Sequence, residues 1–96
     1  MLFIAICKDK PDSVELRVRT RPAHLAWLEG LAAKVRLGGA MLTPDHKAPT
    51  GSVLIYEGET EEEIRGLAAK DPYAEAGLFE SVTIAPWRQA VGVPLS

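Results

Sequence analysis

Two short runs of this chain are apolar at every position rather than at alternate ones, and this narrows what it can fold into. Leu2-Phe3-Ile4-Ala5-Ile6-Cys7 is closed by Lys8-Asp9-Lys10-Pro11, the pattern of a strand followed by a turn. Side chains alternate between the two faces of an extended strand, so Leu2, Ile4 and Ile6 point one way while Phe3, Ala5 and Cys7 point the other. Within Gly51–Tyr56, Val53 and Ile55 oppose Leu54 and Tyr56 in the same manner. An antiparallel sheet with one wet face would alternate apolar with polar residues; these strands are apolar on both faces. The 96 residues make one small domain, 1–96, with little surplus burial. The second apolar face therefore calls for another copy of the chain, and a homodimer packed through the sheet face is expected.

The remaining elements are punctuated by proline and glycine. Pro22 suits the first turn of a helix running to Leu37, with Gly38-Gly39 as its stop. Ala40–Thr43 reads as a second strand and Gly51–Tyr56 as a third, joined by a loop holding Pro44, Asp45, His46 and Pro49. Thr60 followed by Glu61, Glu62 and Glu63 is a capping box, predicting a second helix to Lys70 or Asp71 that Pro72 ends. Ser81–Ala85 is the fourth strand, and no period follows Pro86. The order β-α-β-β-α-β predicts an α+β, ferredoxin-like fold: an antiparallel sheet with both helices on one face.

Charge and composition exclude several classes of function. Eleven basic and thirteen acidic residues are interspersed, for a formal net charge of -2, which provides no electrostatic footprint for nucleic acid or an anionic membrane. A single cysteine cannot form an internal disulfide and is expected to pack inertly, as in a reducing cytoplasm. No apolar run nears the roughly twenty residues of a membrane span, and the start lacks the order of a signal peptide, so a cytoplasmic location is expected. His24 and His46 lack carboxylate or thiolate neighbours at ligand spacing, and no glycine-rich phosphate loop is present. Neither a metal nor a cofactor is expected.

On a helical wheel His24 falls in the stripe of Leu28, Leu31, Ala32 and Val35, so its imidazole faces inward. The second helix aligns Ile64 and Ala68 with Asp71, a carboxylate turned inward at the helix end least suited to negative charge. The ferredoxin-like topology brings the start of the first helix and the end of the second to one end of the sheet, where His24 and Asp71 can meet. The loop of Asp45, His46 and Lys47 belongs to that same end, positioned as a lid. A carboxylate on one imidazole nitrogen fixes the tautomer and leaves the other nitrogen to move a proton. The alternative is a pair that merely satisfies itself at a helix junction. Arg21 could hold a substrate carboxylate or phenolate, or be a solvated surface group; Tyr73 could orient a ligand by its hydroxyl, or simply pack. Partial burial is expected for Trp27 and Trp87.

Several of these residues carry a resemblance to a known family. Arg21-Pro22-Ala23-His24-Leu25-Ala26, Gly38-Gly39, Asp71-Pro72-Tyr73 with Gly77-Leu78, and Val82-Thr83-Ile84-Ala85-Pro86-Trp87 resemble the YciI-like (YCII-related) family over nearly the whole chain. The resemblance implies a ferredoxin-like fold dimerising as an α+β barrel and a pocket whose His-Asp pair matches His24 and Asp71. It further implies an unidentified small-molecule ligand and proton-transfer or lyase chemistry, since a related protein is a dehydrochlorinase acting on a chlorinated, hydroxylated ring. The reading from residues and resemblance together is an enzyme with His24 and Asp71 as acid–base pair; the alternative is a non-catalytic ligand-binding or accessory module.

Overall fold

In the computed structural model, which describes residues 1–95, four strands pair in the order β2-β3-β1-β4, each antiparallel to its neighbours. The last residue of the expected domain lies outside the described residues. The elements are β1 (Leu2–Asp9), α1 (Val14–Leu31), a single 3-10 turn (Ala32–Lys34), β2 (Val35–Leu42), β3 (Pro49–Glu57), α2 (Glu61–Ala68), α3 (Pro72–Glu75) and β4 (Phe79–Trp87). This is the α+β ferredoxin-like topology expected from the element order, with one short helix added before the last strand.

Register sorts the residues onto two faces. Ala5 pairs with Leu54 on one side and Ile84 on the other, and Phe3 pairs with Tyr56. These side chains, with Cys7, form the core together with Ile64 and Ala68 of α2, while Trp27, Leu28 and Leu31 of α1 pack against it half-buried. Both long helices thus cover one face. By alternation Ile4, Ile6, Val53 and Ile55 lie on the other face, as expected. There Ile6 is 39% exposed, and Leu37, paired with Ile55, is 55% exposed.

Helix boundaries differ from the expectation in ways that matter for the site. Pro22 does not open α1; it lies in the interior of an 18-residue helix that begins at Val14. An interior proline costs about 3 kcal/mol through a lost hydrogen bond and a clash with the carbonyl four residues back. Pro22 and Val18 are both exposed, so the freed Val18 carbonyl lies on the wet side, where water can receive it. The helix ends at Leu31, and Ala32 takes a positive φ of 50° at the turn into β2. Val35, Leu37, Gly38 and Gly39 are strand residues, so the glycine pair is not a helix stop. Thr60 caps α2 as expected, its hydroxyl accepting from the Glu63 amide at 3.1 Å.

Candidate active site

The first helix crosses the sheet with Arg17, Arg21, His24 and Leu28 in a row, spaced by four, three and four residues, which is one stripe of an α-helix. They form one wall of a cavity of about 170 Å³ whose floor is Gly38, Gly39, Ala40, Ser52 and Leu54 of β2 and β3. Tyr73 of α3 closes a side. Gly38, Gly39 and Ala40 bring little or no side chain to that floor. A Cβ placed on Gly38 would lie 2.6 Å from Leu54 Cδ2, closer than real side chains approach. That close approach, rather than helix termination, is what glycine supplies at position 38.

His24 and Asp71 meet, as the topology allowed. His24 Nδ1 lies 2.7 Å from Asp71 Oδ1, with both side chains buried. The elements that hold them are not the ones expected. His24 sits in the body of α1 rather than at its start. Asp71 lies beyond α2, which ends at Ala68, and is the N-cap of α3: the same Oδ1 accepts from the Tyr73 amide at 2.9 Å. A carboxylate at the N-terminus of a helix is favourably placed, so the expected conflict with the helix dipole does not arise. His24 Nε2 has no hydrogen-bond partner among the described residues, and the residue lines the cavity. The Tyr73 ring stacks on the imidazole at 4.0 Å between centroids and fixes its plane.

Beneath the pair, Asp71 Oδ2 and the Tyr56 hydroxyl are buried without partners in the described protein. Burial, with the Asp71 charge adding to it, pushes the Tyr56 hydroxyl up from the usual phenol range. The same two causes push the buried Cys7 thiol up to about 12, so it is protonated and inert at neutral pH, as expected. Tyr73 is also raised by burial, against the opposing pull of Arg17 and Arg21.

A second buried ionic group, which the sequence reading missed, stands seven residues before His24. Arg17 donates from Nε to Asp9 Oδ2 at 2.7 Å and from Nη2 to Asp9 Oδ1 at 2.8 Å and to Ser52 Oγ at 2.9 Å. Its guanidinium lies 4.5 Å over the Tyr73 ring. Burial disfavours its charge, but the Asp9 bonds outweigh that and hold it above the ordinary guanidinium value. Continuing the His24 stripe back past Pro22 would have found it. Of the other candidates, Arg21 lines the cavity and is exposed. His46 is exposed in the loop between β2 and β3, and no residue of 43–48 lines the cavity, so that loop is no lid over it. Trp27 and Trp87 are half-buried. Among the described residues no three His, Cys, Asp or Glu side chains group as a metal site would require. No helix among the described residues is long and apolar enough to cross a membrane. A larger hollow of about 690 Å³ between Met1, Leu2 and residues 86–94 shares no lining residue with the His24 cavity.

The strand order, with the helices on one face, defines an α+β protein of ferredoxin-like fold. An antibiotic biosynthesis monooxygenase structure shares the fold at a TM-score of 0.51 with 16% identity, over 95% of this chain and all of that one. The chain belongs to the YCII-related domain family, whose model matches residues 1–88. It is 40% identical to protein YciI of Escherichia coli, over 93% of this chain and 98% of that protein. It is also similar to 5-chloro-2-hydroxyhydroquinone dehydrochlorinase from Burkholderia phenoliruptrix, solved with 2,5-dihydroxybenzoquinone. There the identity is 39% and the TM-score 0.85, over 94% of this chain and 96% of that chain. A third relative, derivative of benzaldehyde biosynthesis cluster protein C of Emericella nidulans, is 36% identical over 69% of this chain and 76% of its own length.

Proposed function

We propose that this protein is a small-molecule enzyme in which Asp71 orients His24 and His24 Nε2 moves a proton on a hydroxylated or carbonyl-bearing ring. One observation carries the reading: a carboxylate bonds Nδ1 at 2.7 Å while the opposite nitrogen belongs to a residue lining an open cavity. The cavity volume of about 170 Å³ is close to the roughly 150 Å³ of a site that holds benzene, so it suits a single ring. Tyr73, stacked on His24, and Arg21 are the proposed ligand contacts.

The similarity to a dehydrochlorinase supports lyase chemistry. Chloride leaves poorly from an aromatic carbon. A hydroxylated chloroarene that takes a proton at the chlorine-bearing carbon while one hydroxyl gives up its own proton becomes a keto tautomer, with a second hydroxyl still protonated. Loss of a hydroxyl proton then drives chloride out and leaves a quinone, so the balance is one HCl lost and no external oxidant. One imidazole can serve both steps, as acid and then as base. With 5-chloro-2-hydroxyhydroquinone as test substrate, His24→Ala and Asp71→Asn should each lower turnover by about 10²–10⁴-fold with the fold retained. Unchanged chloride release in both variants would defeat the reading.

A specific observation favours the other reading, a non-catalytic ligand-binding module: Asp71 has a structural duty as the cap of α3. Under that reading ligand affinity survives in the wild type but no turnover is found. In either case we infer a homodimer formed through the face bearing Ile4, Ile6, Leu37 and Val53, working in the cytoplasm, where the lone thiol of Cys7 stays reduced. Sedimentation at micromolar concentration should show two copies; a well-folded monomer would refute this assembly.

A further inference from the structure

Arg17 is a permanent cation in the cavity wall, only 4% exposed, and a buried charge is costly unless it is paired and bonded. Asp9 takes Nε and Nη2, and Ser52 takes a second bond from Nη2. No acceptor takes Nη1 in a geometric hydrogen bond among the described residues, and the nearest further polar group to the guanidinium is the Tyr73 hydroxyl. The group cannot swing to solvent in search of a partner, because Asp9, Ser52 and the Tyr73 ring hold the plane from three directions. Such a fork is set in advance to donate toward an oxygen anion at little further entropic cost.

Its surroundings give the cavity a direction. Arg21 stands one helical turn along the same stripe, exposed and without an ion pair among the described residues, so its charge is not offset by a carboxylate as that of Arg17 is. His24 follows on the stripe. Beyond it the lining turns apolar, with Leu25, Leu28 and Leu54. A ligand that fills this space meets cationic donors at one end, the proton-moving nitrogen in the middle and hydrocarbon at the other end.

We propose that Arg17 is the specificity-determining residue of this cavity, a pre-set receptor for an ionised oxygen that, with Arg21, selects anionic single-ring ligands over neutral ones and orients them past His24. The substrate class is then a ring bearing an enolate, phenolate or carboxylate oxygen. This rests on the cavity being the ligand site, as in the function proposed above. It adds that ionisation, rather than ring shape, decides entry.

The test compares two probes of one ring size by titration calorimetry at pH 7. 2,5-Dihydroxybenzoquinone is anionic there, because each hydroxyl is conjugated through a double bond to a carbonyl; hydroquinone, an ordinary phenol, is neutral. The wild type should bind the anion at least about tenfold more tightly, with affinity falling as salt rises. Arg17→Lys keeps a charge opposite Asp9 but loses the fork; it should weaken the anion by about tenfold and hydroquinone by less than about twofold. Arg21→Ala should weaken the anion and flatten the salt dependence. Equal affinity of the wild type for both probes, no saturable binding of the anion, or undiminished anion affinity in folded Arg17→Lys would each overturn the proposal. Should Arg17→Lys not fold by circular dichroism, the wild-type ratio and Arg21→Ala still decide it. His24→Ala separates this proposal from the catalytic one. Preference kept with turnover lost supports both, whereas turnover kept with preference kept sinks the acid–base role and leaves the arginine site standing.

Discussion

Helix α1 carries two buried ionic contacts seven residues apart, and they are built on opposite plans. In the Arg17–Asp9 pair both carboxylate oxygens are engaged by a charge-assisted, two-point contact, with Ser52 taking a further donor. In the His24–Asp71 pair one oxygen receives both the imidazole and the Tyr73 amide, while the other oxygen is buried and unpartnered. In the first arrangement the carboxylate is saturated, and the guanidinium keeps only Nη1 to offer. The second leaves one imidazole nitrogen without a partner among the described residues and spare acceptor capacity on the aspartate. The contrast separates a group fixed as a template from one poised to react, although both are almost fully buried.

The sharpest way to break that contrast is to remove the saturated partner. Arg17→Met leaves Asp9 buried and uncompensated and should cost about 3–5 kcal/mol, read as the shift in the urea unfolding midpoint. Asp71→Asn should do the reverse. Asparagine keeps an oxygen for the Tyr73 amide, so stability should fall by no more than about 0.5–1.5 kcal/mol while turnover falls steeply. A loss of stability like that of Arg17→Met would erase the distinction between the two pairs.

Gly38→Ala tests the floor shared by both. The added methyl meets Leu54 and should cost about 1–3 kcal/mol by overpacking, and it should weaken ring binding. Unchanged affinity in titration calorimetry would mean that the ring does not reach the β2 floor. A last test, which leaves the site untouched, concerns pH. The folded state holds the Cys7 proton more tightly than the unfolded chain, with a value near 12 against 9.0. Its contribution is therefore complete below about 9 and is lost as pH rises toward 12, by up to about 1.4 kcal/mol per unit. Unfolding followed between pH 8 and 11 should show this decline, and Cys7→Ala should flatten it; an identical slope in that variant would assign the decline elsewhere, Tyr56 first.

The outer limits of three strands aside, β1, β3, β4 and the meeting of His24 with Asp71 were legible from doubly apolar runs, a capping box and the β-α-β-β-α-β element order, whereas the first half of β2 was read as helix. What was hidden was the first half of α1. A helix is recognised by an apolar stripe, but between Val14 and His24 the buried positions are Arg17 and His24 themselves, so the segment reads as charged and aperiodic. Pro22 then looked like a beginning. Tertiary bonds from Arg17 to Asp9 and from His24 to Asp71, on either side of it, anchor the helix through the proline. Gly38-Gly39 misled for a related reason, since a close approach to Leu54 and a helix stop both call for glycine.

Because the oxygen that steers His24 also caps α3, selection for a folded chain alone would preserve a capping side chain, aspartate or asparagine, in a lineage that had abandoned its reaction. Finding this acid in a homologue is therefore poor testimony of activity there. The imidazole, which caps no helix, is the better witness.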